Sequence, residues 1–112
     1  MPTLEHLTIE DGSHALVTLR GELDILGIGS LEPELERLAA TPTVDVVTLD
    51  LRELEFMDSS GLRLVVVADQ RMRESGRRLV VVRGPHPVMR VFEITRVAER
   101  LHWVERPEEA GR

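Results

Sequence analysis

The sequence predicts one α/β domain: a mixed β-sheet of four to five strands with helices packed mainly on one face. Three observations carry that expectation. Two short segments of alternating apolar and polar residues flank Asp11-Gly12-Ser13, the signature of an antiparallel hairpin. A nearly continuous apolar stretch, Val44 to Leu51, lies between two amphipathic helical patterns, as in a βαβ unit whose strands pair in parallel. The chain of 112 residues, 42% hydrophobic and 30% charged, can bury a single core, and it holds no repeat, linker or low-complexity block. The domain is expected over residues 1–105. Residues 106–112, charged and broken by proline, are expected to form a mobile tail.

Each element follows from its local pattern. Leu7 to Glu10 and Ala15 to Arg20 form the hairpin, which Gly21-Glu22-Leu23-Asp24 closes. Ile25 to Gly29 reads as a short apolar connection. Ser30 is the expected N-cap of the first helix, with Pro33 in its first turn, where a missing N–H does no harm. Ile28, Leu31, Leu35 and Leu38 recur at helical spacing, and Thr41-Pro42-Thr43 stops the helix. After the strand from Val44 to Leu51, a second helix carries Leu64, Val65, Ala68 and Met72 on one stripe and ends at Gly76. Arg78 to Arg83 reads as a buried strand. Pro87 opens a short helix through Thr95, and Leu101 to Val104 adds an edge strand.

Composition excludes several chemistries. Cysteine is absent, which removes disulfides and thiolate sites. Lysine is absent too, so there is no P-loop lysine and no Schiff base; Gly27 and Gly29 do not complete a phosphate loop. The net charge of −6 argues against nucleic acid as a partner. His6, His14, His86 and His102 are scattered, with no metal-ligand spacing, so no metal or cofactor is expected. No run approaches the length of a membrane span and the start lacks a signal pattern, so a cytoplasmic protein without direct membrane insertion is expected. Trp103 reads as a packing residue near the C-terminal edge. Arg71, Arg73, Arg77 and Arg78 read as a solvated helix end that complements the dipole.

Phe56-Met57-Asp58-Ser59-Ser60-Gly61 stands at the junction of a strand and a helix. Asp, Ser and Gly there are N-cap chemistry, a side-chain oxygen accepting the unpaired N–H groups of the first turn. A serine at that place can also carry a phosphate, because the helix dipole and the exposed donors favour negative charge. The two readings are compatible. Asp58 is poorly placed to act as base for a neighbouring serine, and no oxyanion motif accompanies it, so catalysis is not expected.

With Phe56-Met57-Asp58-Ser59-Ser60-Gly61-Leu62 and Gly21-Glu22-Leu23-Asp24 at matching places in a βαβ frame, the chain from Leu4 to Val104 resembles the STAS domains of anti-sigma factor antagonists. The resemblance implies a STAS fold and a partner switch. The unphosphorylated form would bind an anti-sigma serine kinase and so release a sigma factor. Phosphorylation at Ser59, with Ser60 as the second candidate, would end that binding, and a metal-dependent phosphatase of the PP2C type would restore it. Asp24, Asp58, Ser60, Gly61 and Leu62 carry over as partner contacts or orienting residues, although from the helical pattern alone Leu62 and Val66 read as core before interface. The alternative is a STAS docking or accessory subunit of a membrane transport or other signalling complex. Two departures stand out: Ile25 to Gly29 is unusually rich in glycine and apolar residues, and Arg96 occupies a place where many members have glycine.

Overall fold

The structure, a computed structural model, describes residues 4–111. Met1 to Thr3 and Arg112, included in the expected domain and tail, lie outside the described residues. The elements are β1 (Leu4–Asp11), β2 (His14–Leu23), α1 (Ile28–Ala39), β3 (Val46–Met57), α2 (Ser59–Glu74), β4 (Arg78–Val82), α3 (His86–Ile94) and β5 (His102–Val104). Short 3-10 turns occupy Val97–Arg100 and Pro107–Glu109. The five strands lie in the order β1-β2-β3-β4-β5. β1 is antiparallel to β2, and every later pairing is parallel. Strand alternation sends Val17 and Leu19, Leu49 and Leu51, and Leu79 and Val81 to one face of the sheet. There they meet Leu31, Leu35 and Leu38 of α1, Val65 and Met72 of α2, and Val88 and Phe92 of α3. The expected mixed sheet with its helices on one face is present.

The hairpin and the last two strands stand where the patterns place them. β3 is longer than expected and runs to Met57. The pairing of β2 with β3 slips between Thr18 and Arg20 and again between Gly21 and Glu22, which disturbs the alternation around Arg52 and Glu53. An ion pair of 2.9 Å between Arg20 and Glu53 lies at that irregularity.

The start of α1 is a second correction. Its cap position is Gly27; Ser30 lies within the first turn and donates its hydroxyl to the Gly27 carbonyl at 3.2 Å. Pro33 therefore lies inside the helix, beyond the first turn, and leaves a carbonyl one turn earlier without its usual N–H. α2 ends as expected. Gly76, at φ +71°, donates to the Arg73 carbonyl and Arg77 to that of Met72, so a left-handed residue closes the helix. Arg77 is no solvated helix end, however. Its guanidinium donates to the carbonyls of Thr41 (2.9 Å), Val44 (2.8 Å) and Ala39, tying down the loop from α1 to β3.

Residues 106–111, expected as part of a mobile tail, are placed against the sheet instead. Ala110 closes a small apolar cluster with Val46 and Val80 on the face away from the core helices. Arg78 donates to the Ala110 carbonyl at 2.7 Å, and the Glu109 carboxylate accepts the N–H groups of Glu105 and Arg106. Trp103 is a packing residue: its indole N–H donates to Ala98 at 2.8 Å and its ring meets Phe92 edge-on at 5.0 Å. Arg96 has φ +60°, the left-handed region that glycine adopts without strain, which explains why glycine suits that place.

Candidate functional site

β2 and β3 are parallel neighbours that end side by side, with Leu23 paired to Met57. Each is followed by Asp-x-x-Gly: Asp24-Ile25-Leu26-Gly27 after β2, and Asp58-Ser59-Ser60-Gly61 after β3. The two aspartates do the same work. Asp24 Oδ1 accepts the N–H groups of Leu26 at 3.1 Å and Gly27 at 2.9 Å. Asp58 Oδ1 accepts those of Ser60 at 2.9 Å and Gly61 at 3.2 Å. The Asp58 N–H donates to the Leu23 carbonyl at 3.3 Å, which joins the two turns.

Both glycines are needed for close approach. A Cβ on Gly61 would lie 2.7 Å from the Leu23 carbonyl oxygen and 2.8 Å from Met57 Cγ. One on Gly27 would lie 3.0 Å from both the Glu22 carbonyl oxygen and Leu4 Cβ. The turns then diverge. α2 begins at once with Ser59, whereas after Asp24 the chain makes a further turn, in which Gly27 and Ile28 both donate to the Asp24 carbonyl.

The sequence left the N-cap open between aspartate and serine. The structure gives the cap to Asp58. Ser59 is the exposed first residue of α2, and among the described residues its hydroxyl has no hydrogen-bond partner. Its hydroxyl is therefore open to solvent, and among the described residues no base is bonded to it. Ser60 is half-buried. Asp24 and Asp58 are turn builders at the rim. Gly61 and Leu62, expected among the partner contacts, are buried, Leu62 at 7% exposure on the inner side of α2. In this conformation they support the surface from beneath and do not form it.

The two joined turns and the end of β3 expose large apolar residues that the sequence reading did not single out as contacts. Ile25 is 67% exposed, Leu26 78% and Phe56 48%. The signal was present: two large apolar residues inside a tight Asp-x-x-Gly turn have no inward stripe to join. Glu22, Asp24 and Asp58 make the rim acidic. Among the described residues, no group of three or more His, Asp or Glu side chains is placed to hold a metal ion. Among the described residues, no helix is long and apolar enough to cross a membrane.

Comparison with known proteins identifies the family and the fold. A family model described as "Mlab, STAS domain" matches residues 6–104. The chain is 29% identical over 86 residues to an anti-sigma-B factor antagonist of Staphylococcus aureus, an alignment covering 77% of this chain and 79% of the relative. Its fold is similar to that of an anti-sigma factor antagonist from Mycobacterium paratuberculosis, with a TM-score of 0.86 at 19% identity, over 96% of this chain and 90% of that one. It is also similar to the Bacillus cell fate determinant SpoIIAA, solved in its phosphorylated form, with a TM-score of 0.74 at 23% identity, over 95% of this chain and 96% of that one.

Proposed function

The chain belongs to the STAS domain family, and on that premise we propose that it is an anti-sigma factor antagonist worked by phosphorylation of Ser59. The unphosphorylated chain binds an anti-sigma serine kinase and so frees a sigma factor. The kinase transfers the γ-phosphoryl group of ATP to Ser59 Oγ; the hydroxyl proton is lost, ADP leaves, and the complex dissociates. A PP2C-type phosphatase hydrolyses the phosphate and resets the chain. The protein is a regulatory binding module and not itself an enzyme.

One observation carries this reading: Asp58 caps α2, which leaves the adjacent Ser59 hydroxyl exposed and unengaged. A phosphate there adds about −1.5 to −2 charges. It does so on the residue after Asp58, in the turn joined through Asp58 and Leu23 to the one that exposes Ile25 and Leu26. A partner that covers this surface would have to desolvate that charge, which is costly because a single neighbouring cation would leave the phosphate beside Asp58 net negative. Covering the same surface without phosphate buries three large apolar side chains and is favourable.

Binding of the cognate kinase by variants tests the switch. Ser59→Ala is expected to bind as the unmodified chain does and to stay bound in ATP. Ser59→Glu is expected to weaken binding roughly tenfold or more, the effect of a like charge set into a contact surface. Equal affinities of the two variants would contradict the switch and leave a docking module that needs no phosphorylatable hydroxyl.

A further inference from the structure

The other basic residues of α2, Arg71 and Arg73, lie in its last turn, where the negative end of the helix dipole favours them. Arg63 does not follow that rule. It is exposed and is the fifth residue of the helix, one turn beyond Ser59. Its helical neighbours three and four residues away are Ser59, Ser60, Val66 and Val67, none of which carries a charge. Among the described residues Arg63 makes no ion pair, as Arg90 at the same place in α3 makes none, but only Arg63 has a serine one turn before it. An unpaired guanidinium there gains a partner once an anion arrives one turn before it.

We infer that Arg63 is the intramolecular receptor of the Ser59 phosphate. The inference rests on Ser59 being the modified residue. Positions 59 and 63 are four apart on one helix face, with the anion N-terminal to the cation, the better of the two orders. Asp58 already holds the N–H groups of Ser60 and Gly61, so those two helix donors are not available to the phosphate. The guanidinium supplies what they cannot, a planar pair of donors matched to phosphate oxygens. Arg63 is thus a positioning residue: it holds the phosphate along the outer face of α2 and fixes where the new charge stands.

The test needs no kinase. Phosphoserine is incorporated during synthesis at position 59 of the full chain, and its second ionisation is followed by phosphorus NMR against pH. An ordinary phosphoserine titrates near 6. Arg63 favours the dianion, so Arg63→Gln is expected to raise that value by about 0.3 pH units or more. Arg63→Lys should fall between the two, and high salt should shrink the difference. Retention of the Trp103 fluorescence of the parent chain establishes that each variant is folded, with Arg63→Ala as the substitute should the Gln variant misfold. Equal titration in parent and folded variants would overturn the assignment to Arg63 and leave the kinase switch standing. Failure of any kinase to modify Ser59 would remove the switch, whatever the titration shows.

Discussion

The turns after β2 and β3 have one frame and two contents. In each, an aspartate Oδ1 holds the N–H groups two and three residues on, and a glycine in the fourth place lets the chain pass close to its neighbour. Between them, the first turn presents Ile25 and Leu26 and the second Ser59 and Ser60. The ends of the motif build the geometry, which leaves the middle to vary without cost to the fold. One middle supplies apolar surface and the other a hydroxyl, side by side. In this account the first turn provides adhesion and the second provides its control.

The comparison can be broken in four places. The largest expected effect is at the closest approach. Gly61→Ala should destabilise by about 2 kcal/mol, because its Cβ meets backbone and two core side chains, while Gly27→Ala should cost about half as much. Denaturant titration read by Trp103 measures both; a larger loss at Gly27 would reverse the ranking. Next, Ile25→Ser combined with Leu26→Ser should weaken binding of the anti-sigma partner roughly tenfold or more. The same double variant should shift stability by less than about 0.5 kcal/mol, since both residues are exposed. Unchanged affinity would show that the first turn does not adhere.

Asp24→Ala and Asp58→Ala should each cost about 1 kcal/mol, the ordinary loss of a cap. Similar values would support the shared frame, and a negligible loss at either would show that the two turns are alike only in outline.

The smallest effect separates the two helices by pH. The Arg37 guanidinium holds the Glu34 carboxyl of α1 down to about 2, below its ordinary 4.5. A depressed folded value means the contribution is complete above 4.5 and is lost as pH falls towards 2. On α2, burial pushes the Asp69 carboxyl up, against the pull of Arg73. A raised folded value means the opposite: the carboxyl favours folding when protonated, and that contribution is lost as pH rises through its folded value. Acid melts of Glu34→Gln and Asp69→Asn should therefore depart from the parent in opposite directions, each by less than the loss of a cap. Departures of the same sign would contradict the pairing or the burial.

Much of this was legible in the sequence. Hydrophobic periodicity located the hairpin, the parallel frame and the inward stripes of the helices, because burial on one face imposes period two or 3.6 on the chain. Boundaries were lost where another force overrode the pattern. A slip in the pairing of β2 with β3 hid the last residues of β3, since it alters which residues alternate. Asp24, three residues upstream of Gly27, organises the start of α1, so Ser30, a good capping residue in isolation, was credited with work already done. The packing of Ala110 and the carbonyl clamp of Arg77 depend on contacts more than thirty residues away, which no local pattern reports. At the site, Asp-Ser-Ser-Gly was plain in the chain, but the division of labour between Asp58 and Ser59 was not. It required knowing which oxygen faces the helix donors.

That division carries the central claim, and peptide mass mapping tests it most directly. The chain is incubated with ATP and each anti-sigma kinase encoded alongside it, and then digested and mapped. The account predicts one added phosphate, on Ser59, with none on the half-buried Ser60 and none in Ser59→Ala. A phosphate placed elsewhere, or none with any kinase while the chain is folded, would contradict it.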